Sequence, residues 1–219
     1  MFQRLLPVRC PCCRQLGDDV CASCRSLFQP APELAVPAGL AECRSVFAYD
    51  DVTRHVVLAA KTTYAIHLIG HMAEEMATQL PSATEAVLTW APTVASRARA
   101  RGFDHAELLA RAVARRVDLP VFGLLRRQAP SQHGGADRNH RLGVAFSVRR
   151  AGRLARPRSA ERRRVVVIDD VRTTGATLAA AARAIGPEVF VAGLTYAATP
   201  CVRHAESSVP TTRSQNRSV

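Results

Sequence analysis

The chain has 219 residues, 47% of them hydrophobic, enough for one core of ordinary size plus a small appendage and too few for a second large domain. Thirty Lys+Arg against eighteen Asp+Glu leave a formal charge of +12, with Lys61 the only lysine. That balance favours phosphate-rich partners, although an Arg-, Ala- and Val-rich composition also follows from G+C-rich coding, and neither reading bears on the fold.

No stretch approaches the ~20 apolar residues of a membrane span. The start, MFQRLLPVRC, lacks the long apolar core of a signal peptide, so a cytoplasmic protein is expected. In a reducing compartment, CPCCRQLGDDVCASC reads as a metal site rather than as disulfides. Its two Cys-x-x-Cys pairs, Cys10/Cys13 and Cys21/Cys24, bring four thiolates to a tetrahedral Zn2+, with Cys12 as an alternative ligand. A thioredoxin-like redox pair would need a strand-to-helix context that is missing. QPAPELAVPAG, from Pro30 to Pro37, reads as a linker.

A first strand is expected over Arg44–Tyr49. A helix follows in DVTRHVVLAAK, capped by Asp51 or Thr53, with Val56, Val57 and Ala60 turned inward. YAIHLIGHMAEEMATQL places Ile66, Ile69, Met72, Ala73 and Met76 on one helical face. His67 and His71 lie four apart there, but without a neighbouring Glu or a third ligand they read as packing or exposed histidines. AVLTW is a buried strand, and the stretch from Ala91 to Phe103 is expected as a loop. The next helix opens with Asp104 and Glu107 in capping-box spacing and turns Leu108, Leu109, Ala112 and Val113 inward. Such a loop, between a strand end and a helix start, is where an open α/β sheet binds its ligands.

LPVFGLLRR begins another extended piece, QAPSQHGGADRNHRLG a polar loop, and VAFSV a strand. RRAGRLARPRSAERRR carries eight Arg in sixteen residues, with Glu161 its only acid, and reads as a solvated connector before a nucleic-acid contact. EVFVAGLTYAA is a last strand, and the Ser/Thr/Arg-rich tail from Thr199 is expected to be disordered. The resulting division is a cysteine module and linker over 1–40, an α/β domain over 41–198 and a tail over 199–219.

The most informative stretch is VVVIDDVRTTGATL. RVVVID is apolar and β-branched, as in a parallel strand covered on both faces, and GATLAAAARAIG is a helix that ends near Gly186. The turn between them faces the first backbone N–H groups of the helix, where a phosphate is favoured. Thr173, Thr174 and Thr177 add hydroxyls, Ala176 sits in the first turn, and Gly175 allows close backbone approach. Asp169 and Asp170 would repel that phosphate unless they address another part of the same ligand. Vicinal ribose hydroxyls meet this need, with Mg2+ offsetting charge, so the ligand implied is a ribose 5-phosphate. Walker A and GxGxxG loops are absent, and an aspartyl-phosphate receiver gives no reason for the Thr-rich turn.

VVVIDDVRTTGAT resembles the phosphoribosyl pyrophosphate (PRPP) motif of type I phosphoribosyltransferases. With CPCC...CASC and RARARGFDHAELLAR, the chain from Cys10 to about Ala198 is similar to the ComF family, associated with DNA uptake in bacterial competence. The resemblance implies a type I phosphoribosyltransferase-like parallel sheet flanked by helices, preceded by a zinc-binding module. It implies that Asp169 and Asp170 hold the ribose hydroxyls and that Thr173 to Thr177 hold the 5-phosphate. It makes the loop after Trp90 the pyrophosphate loop, puts Lys61 where the family has a basic residue, and makes Lys61, Arg97 and Arg138 the catalytic candidates, with Lys61 and Arg97 attending the departing pyrophosphate. The chain departs from the family at TWAPTVASR, where Arg97 is the first cation. It departs again in SQHGGADRNHRLGVAF, where a Gln-x-Gly-like pattern is followed by a shortened segment with Arg138 matched. A shortened closing loop bears on catalysis more than on binding. Two alternatives stay open: a nucleic-acid-binding accessory protein with single-stranded DNA and competence-machinery partners, whose PRPP site is a sensor or relic, and a purine or pyrimidine salvage phosphoribosyltransferase.

Overall fold

The computed structural model describes residues 8–62, 65–80, 85–128, 144–149 and 164–200. In chain order its elements are α1 (Ala22–Arg25), β1 (Glu42–Ala48), α2 (Asp51–Ala60), α3 (Leu68–Ala77) and β2 (Ala86–Trp90). There follow α4 (Ala95–Arg101), α5 (His105–Val117), β3 (Leu125–Arg127), β4 (Phe146–Val148), β5 (Arg164–Arg172), α6 (Ala176–Ile185) and β6 (Phe190–Ala198). The Arg-rich connector, apart from its two ends, the loop holding Arg138, and the tail beyond Pro200 lie outside the described residues.

Four strands form a parallel sheet in the order β1-β6-β5-β2. Beyond β2, Leu88 donates to the Pro120 carbonyl at 2.8 Å and accepts from Phe122 N–H at 2.9 Å, so Val121 adds a short parallel bridge at that edge. The continuous apolar run of β5 is explained by burial on both faces. Val166 and Ile168 join Leu88, Leu194 and Tyr196 under α2, α3 and α5, whereas Val165 and Val167 join Val87 and Val191 under α6 and the antiparallel β3–β4 pair. The chain therefore leaves β2 through α5 on one face and β5 through α6 on the other, toward opposite edges. The carboxyl ends of these two neighbouring strands flank a topological switch point, where open α/β sheets form a crevice.

Several local expectations change in the structure. Asp50, not Asp51, caps α2: its side chain accepts from Thr53 N–H at 2.9 Å while Thr53 Oγ1 accepts from Asp50 N–H at 3.0 Å. Ile66 precedes α3 and is exposed, whereas Ile69, Met72, Ala73 and Met76 are buried as expected. The stretch after Ala91 contains α4 rather than loop alone. Asp104 caps α5, but Glu107 turns to Arg111 at 2.8 Å and closes no capping box, an i,i+4 ion pair replacing the reciprocal cap.

The Pro30–Pro37 stretch is not a free linker. Pro30 bridges to Phe47, Ala31 donates to Val46 at 3.1 Å, and Phe28 lies 4.9 Å from the Phe47 ring. Cys10, Val20 and Cys24 belong to the same buried cluster as Val56, Leu68 and Tyr196. The apolar residues of the cysteine segment thus bury themselves against the helical face of the sheet. Among the described residues, no helix is long and apolar enough to cross a membrane.

Candidate functional site

Asp169 and Asp170 stand near the end of β5, each fixed by a backbone donor: Asp169 Oδ1 accepts from Asp170 N–H at 2.9 Å, and Asp170 Oδ1 from Val171 N–H at 2.7 Å. The free oxygen of Asp170, Oδ2, meets Lys61 Nζ at 2.5 Å and lies 3.6 Å from His105 Nε2. Lys61 is the C-cap of α2 and His105 the first residue of α5, so two helix ends converge on one carboxylate.

The two acids are shifted in opposite directions. Burial, reinforced by the neighbouring Asp170 charge, pushes the Asp169 carboxyl up to about 8, with Lys61 and Arg127 pulling weakly the other way. Burial also works to raise Asp170, but Lys61 and then His105 outweigh it and hold that carboxyl below its ordinary value. Adjacent carboxyls with divergent protonation are the pattern expected where like charges share a confined site.

Beyond the acids, Thr173 and Thr174 are exposed and Thr177 is half-buried. Thr174 Oγ1 accepts from Ala176 N–H at 3.3 Å, a local bond at the start of the ten-residue α6. Gly175 has φ +77°, and a Cβ there would stand 2.7 Å from Pro37 Cγ. The glycine is therefore required by its backbone and by the close packing of Pro37. Arg172, itself buried, donates to the Ala35 carbonyl, so residues 35–37 wall one side of the turn.

The opposite wall is the chain after β2. Ala91 N–H donates to Ile168 at 3.1 Å, and Thr93 N–H donates to Asp104 Oδ2 at 3.0 Å while Asp104 Oδ1 caps α5 through Ala106 N–H at 3.1 Å. One carboxylate thus ties the loop to the helix that carries His105. Arg127 donates to the Pro92 carbonyl at 3.3 Å and stacks over Phe146 at 5.6 Å. Of the cations read from the sequence, Lys61 touches the acid pair, Arg97 is exposed on α4, and Arg138 lies outside the described residues. His105 and Arg127 escaped sequence reading. A histidine directly after a capping Asp is a signal that could have been followed, whereas nothing local marks Arg127, which reaches the site through its pairing with β4.

The Sγ atoms of Cys10, Cys13, Cys21 and Cys24 all lie within 4.8 Å of one another. A tetrahedral thiolate site with bonds of about 2.3 Å needs sulfurs about 3.8 Å apart, which this cluster fits. Burial would raise the Cys10 thiol, yet backbone N–H groups of Cys13, Cys21 and Cys12 overcome it and bring it down to about 6. N–H donors aimed at sulfur support a thiolate, the form that ligates metal. Cys12 is outside the cluster, its thiol directed to the Val52 carbonyl at 3.6 Å, which removes it as an alternative ligand. Among the described residues His67 and His71 join no metal-ligating group: His67 precedes α3 beside Asp19 at 3.8 Å, and His71 is buried near Phe28 and Tyr196.

No protein-family model matches the chain, and no curated protein matches it in sequence. Among solved structures it is similar to adenine phosphoribosyltransferase from Trypanosoma brucei in complex with AMP, pyrophosphate and ribose-5-phosphate. That match has 14% identity over 94% of this chain and 91% of that one, with a TM-score of 0.39. Orotate phosphoribosyltransferase from Aeropyrum pernix matches at 17% identity over 78% and 75%, TM-score 0.35. Adenine phosphoribosyltransferase from Leishmania donovani matches at 14% over 83% and 81%, TM-score 0.38. Similarities at this level carry no argument about activity, and the architecture stands on its own strand order.

Proposed function

We propose that this chain is a ComF-like, phosphoribosyltransferase-type protein that binds PRPP with Mg2+ in the crevice beyond β2 and β5 and transfers its phosphoribosyl group. The observation that supports the reading is the placement of Asp169 and Asp170 at the switch point, directly before the N-terminal turn of α6. In this proposal Asp169 and Asp170 hold the ribose hydroxyls, Asp170 as the ionised acceptor. The hydroxyls of Thr173, Thr174 and Thr177, with the backbone N–H groups of Gly175 and Ala176, hold the 5-phosphate. Lys61 and Arg97 attend the pyrophosphate, and Arg138 is the catalytic candidate of the closing loop.

The acceptor's nucleophilic atom forms a bond to the anomeric carbon as the bond from that carbon to pyrophosphate oxygen breaks. Pyrophosphate leaves with the electron pair, and the acceptor gives up its proton. Bound with PRPP, Mg2+ would offset the negative charge of the leaving group. The chain's own residues position the ribose and stabilise the departing oxygens. Zn2+ is the metal that suits the four thiolates of Cys10, Cys13, Cys21 and Cys24, in a structural role. The ComF-like reading places the protein in the cytoplasm, with competence-machinery partners.

A second reading, a nucleic-acid-binding accessory protein, draws on the exposed Arg97 and Arg99 of α4 beside the site. Single-stranded DNA affinity that falls on the order of a hundredfold between 50 and 200 mM salt supports it, and a flat response removes it.

Calorimetric titration of PRPP with Mg2+, against ribose 5-phosphate as control, tests the main reading. Mg-dependent binding that prefers PRPP and is lost in Asp169→Asn/Asp170→Asn is the expected result. Undiminished affinity in that folded double variant sinks the assignment of the acids.

A further inference from the structure

Two donors converge on one oxygen. Lys61 Nζ lies 2.5 Å and His105 Nε2 3.6 Å from Oδ2 of Asp170. Lys61 sits at a helix end on a flexible four-carbon stem, with its side chain 27% exposed. His105 is 2% exposed in the first turn of α5, and among the described residues neither ring nitrogen makes a hydrogen bond of full geometry, the Ala60 backbone standing near the ring at the end of α2. A buried imidazole without a well-formed hydrogen bond is costly, and native structures keep few such groups without cause.

We infer that Asp170 is served by two donors in turn: Lys61 holds Oδ2 in the free protein, and His105, a positioning residue, takes over that oxygen through Nε2–H when Lys61 turns to the phosphates of a bound ligand. The inference deepens the PRPP reading and rests on it for the identity of that ligand.

The geometry supports the exchange. Closing 3.6 Å to a normal N–H···O distance requires a shift of only about 0.7 Å. Lys61 can leave because its stem is mobile; His105 cannot, because α5 begins at a capped end tied through Asp104 to the loop after β2. Without a replacement donor, departure of Lys61 would leave the Asp170 charge confined and uncompensated.

The groups facing the ring are Asp170 on β5, Lys61 and the Ala60 backbone at the end of α2, and Arg101 on α4. Burial, with the Lys61 and Arg101 charges, outweighs Asp170 and Ala60 and lowers the ring below its ordinary value. A neutral imidazole supplies one N–H without adding a charge, so the carboxylate stays a strong acceptor for ribose hydroxyls.

The test uses the full chain with 15N-labelled histidine. In Lys61→Met without ligand, the Nε2–H tautomer with a slowly exchanging, hydrogen-bonded N–H signal is expected, and that signal is lost when Asp170→Ala is added. In the wild type, PRPP with Mg2+ produces the same signal. His105→Leu weakens PRPP binding about tenfold or more, the scale of a hydrogen bond to a charged group, and His105→Gln retains most of it. An Nδ1–H tautomer in Lys61→Met, or wild-type affinity in His105→Leu, overturns the exchange. If the wild type binds no PRPP, the functional reading falls, and the ligand-free Lys61→Met spectrum still decides whether His105 takes over Asp170.

Discussion

Pro37 packs so closely over Gly175 that a Cβ at that position would stand 2.7 Å from the proline Cγ and 3.1 Å from its Cβ. The contact joins the stretch before β1 to the turn that starts α6, and it coincides with a left-handed backbone at φ +77°.

Gly175→Ala therefore meets two penalties and is expected to cost roughly 1–3 kcal/mol in urea denaturation. In a Pro37→Ala background the steric part disappears while the backbone part remains, so the loss shrinks without vanishing. Equal losses in the two backgrounds would show that the proline contact contributes nothing.

Burial, and then the neighbouring Asp170 charge, pushes the Asp169 carboxyl up to about 8, well above an ordinary carboxylate. Its protonated form is the one the fold favours, so its stabilising contribution is full below the unfolded value near 4 and is lost as pH rises through the folded value. Asp169→Asn, which cannot ionise, should gain stability relative to wild type across that window. At about 1.4 kcal/mol for each pKa unit, a relative gain of at least about 1 kcal/mol between pH 5 and 9 is expected. A pH-independent difference in melting midpoint would contradict it.

Asp104 binds both the Thr93 and the Ala106 N–H groups. Asp104→Ala should cost about 1–2 kcal/mol for the lost cap and free the loop after β2. Amide exchange is the measurement: Thr93 and the first turn of α5 should lose protection together, with the sheet unaffected. Retained protection at Thr93 would mean that the loop is held elsewhere.

Because Cys10, Val20 and Cys24 share a buried cluster with Val56 and Leu68, loss of metal should loosen α2 and α3 as well as the cysteine segment. Chelation is expected to lower the melting temperature by more than about 5 °C and to make four further thiols reactive, with Zn2+ restoring both and Mg2+ neither. A melting temperature unmoved by chelation would count against a structural metal.

Much of the architecture was legible because the patterns concerned are local. The run Val165–Ile168 has no polar break, so it had to be a strand covered on both faces, and the paired Cys-x-x-Cys spacings announced the thiol cluster. The α4 helix was missed because ASRARAR buries nothing and so has no apolar period to read. The Pro30–Pro37 stretch resembled a linker because proline suppresses strand patterning, although its backbone still bonds to the edge of β1.

The sequence by itself determined the strand-turn-helix around Asp169 and Asp170, since hydrophobic period, turn residues and helix propensity act over neighbouring positions. Only the tertiary structure decided that Lys61, from the end of α2, and His105, from the start of α5, meet the same oxygen of Asp170. That meeting follows from the strand order β1-β6-β5-β2 and from α2 and α5 sharing one face of the sheet, and contacts between distant segments leave no periodic trace in either segment.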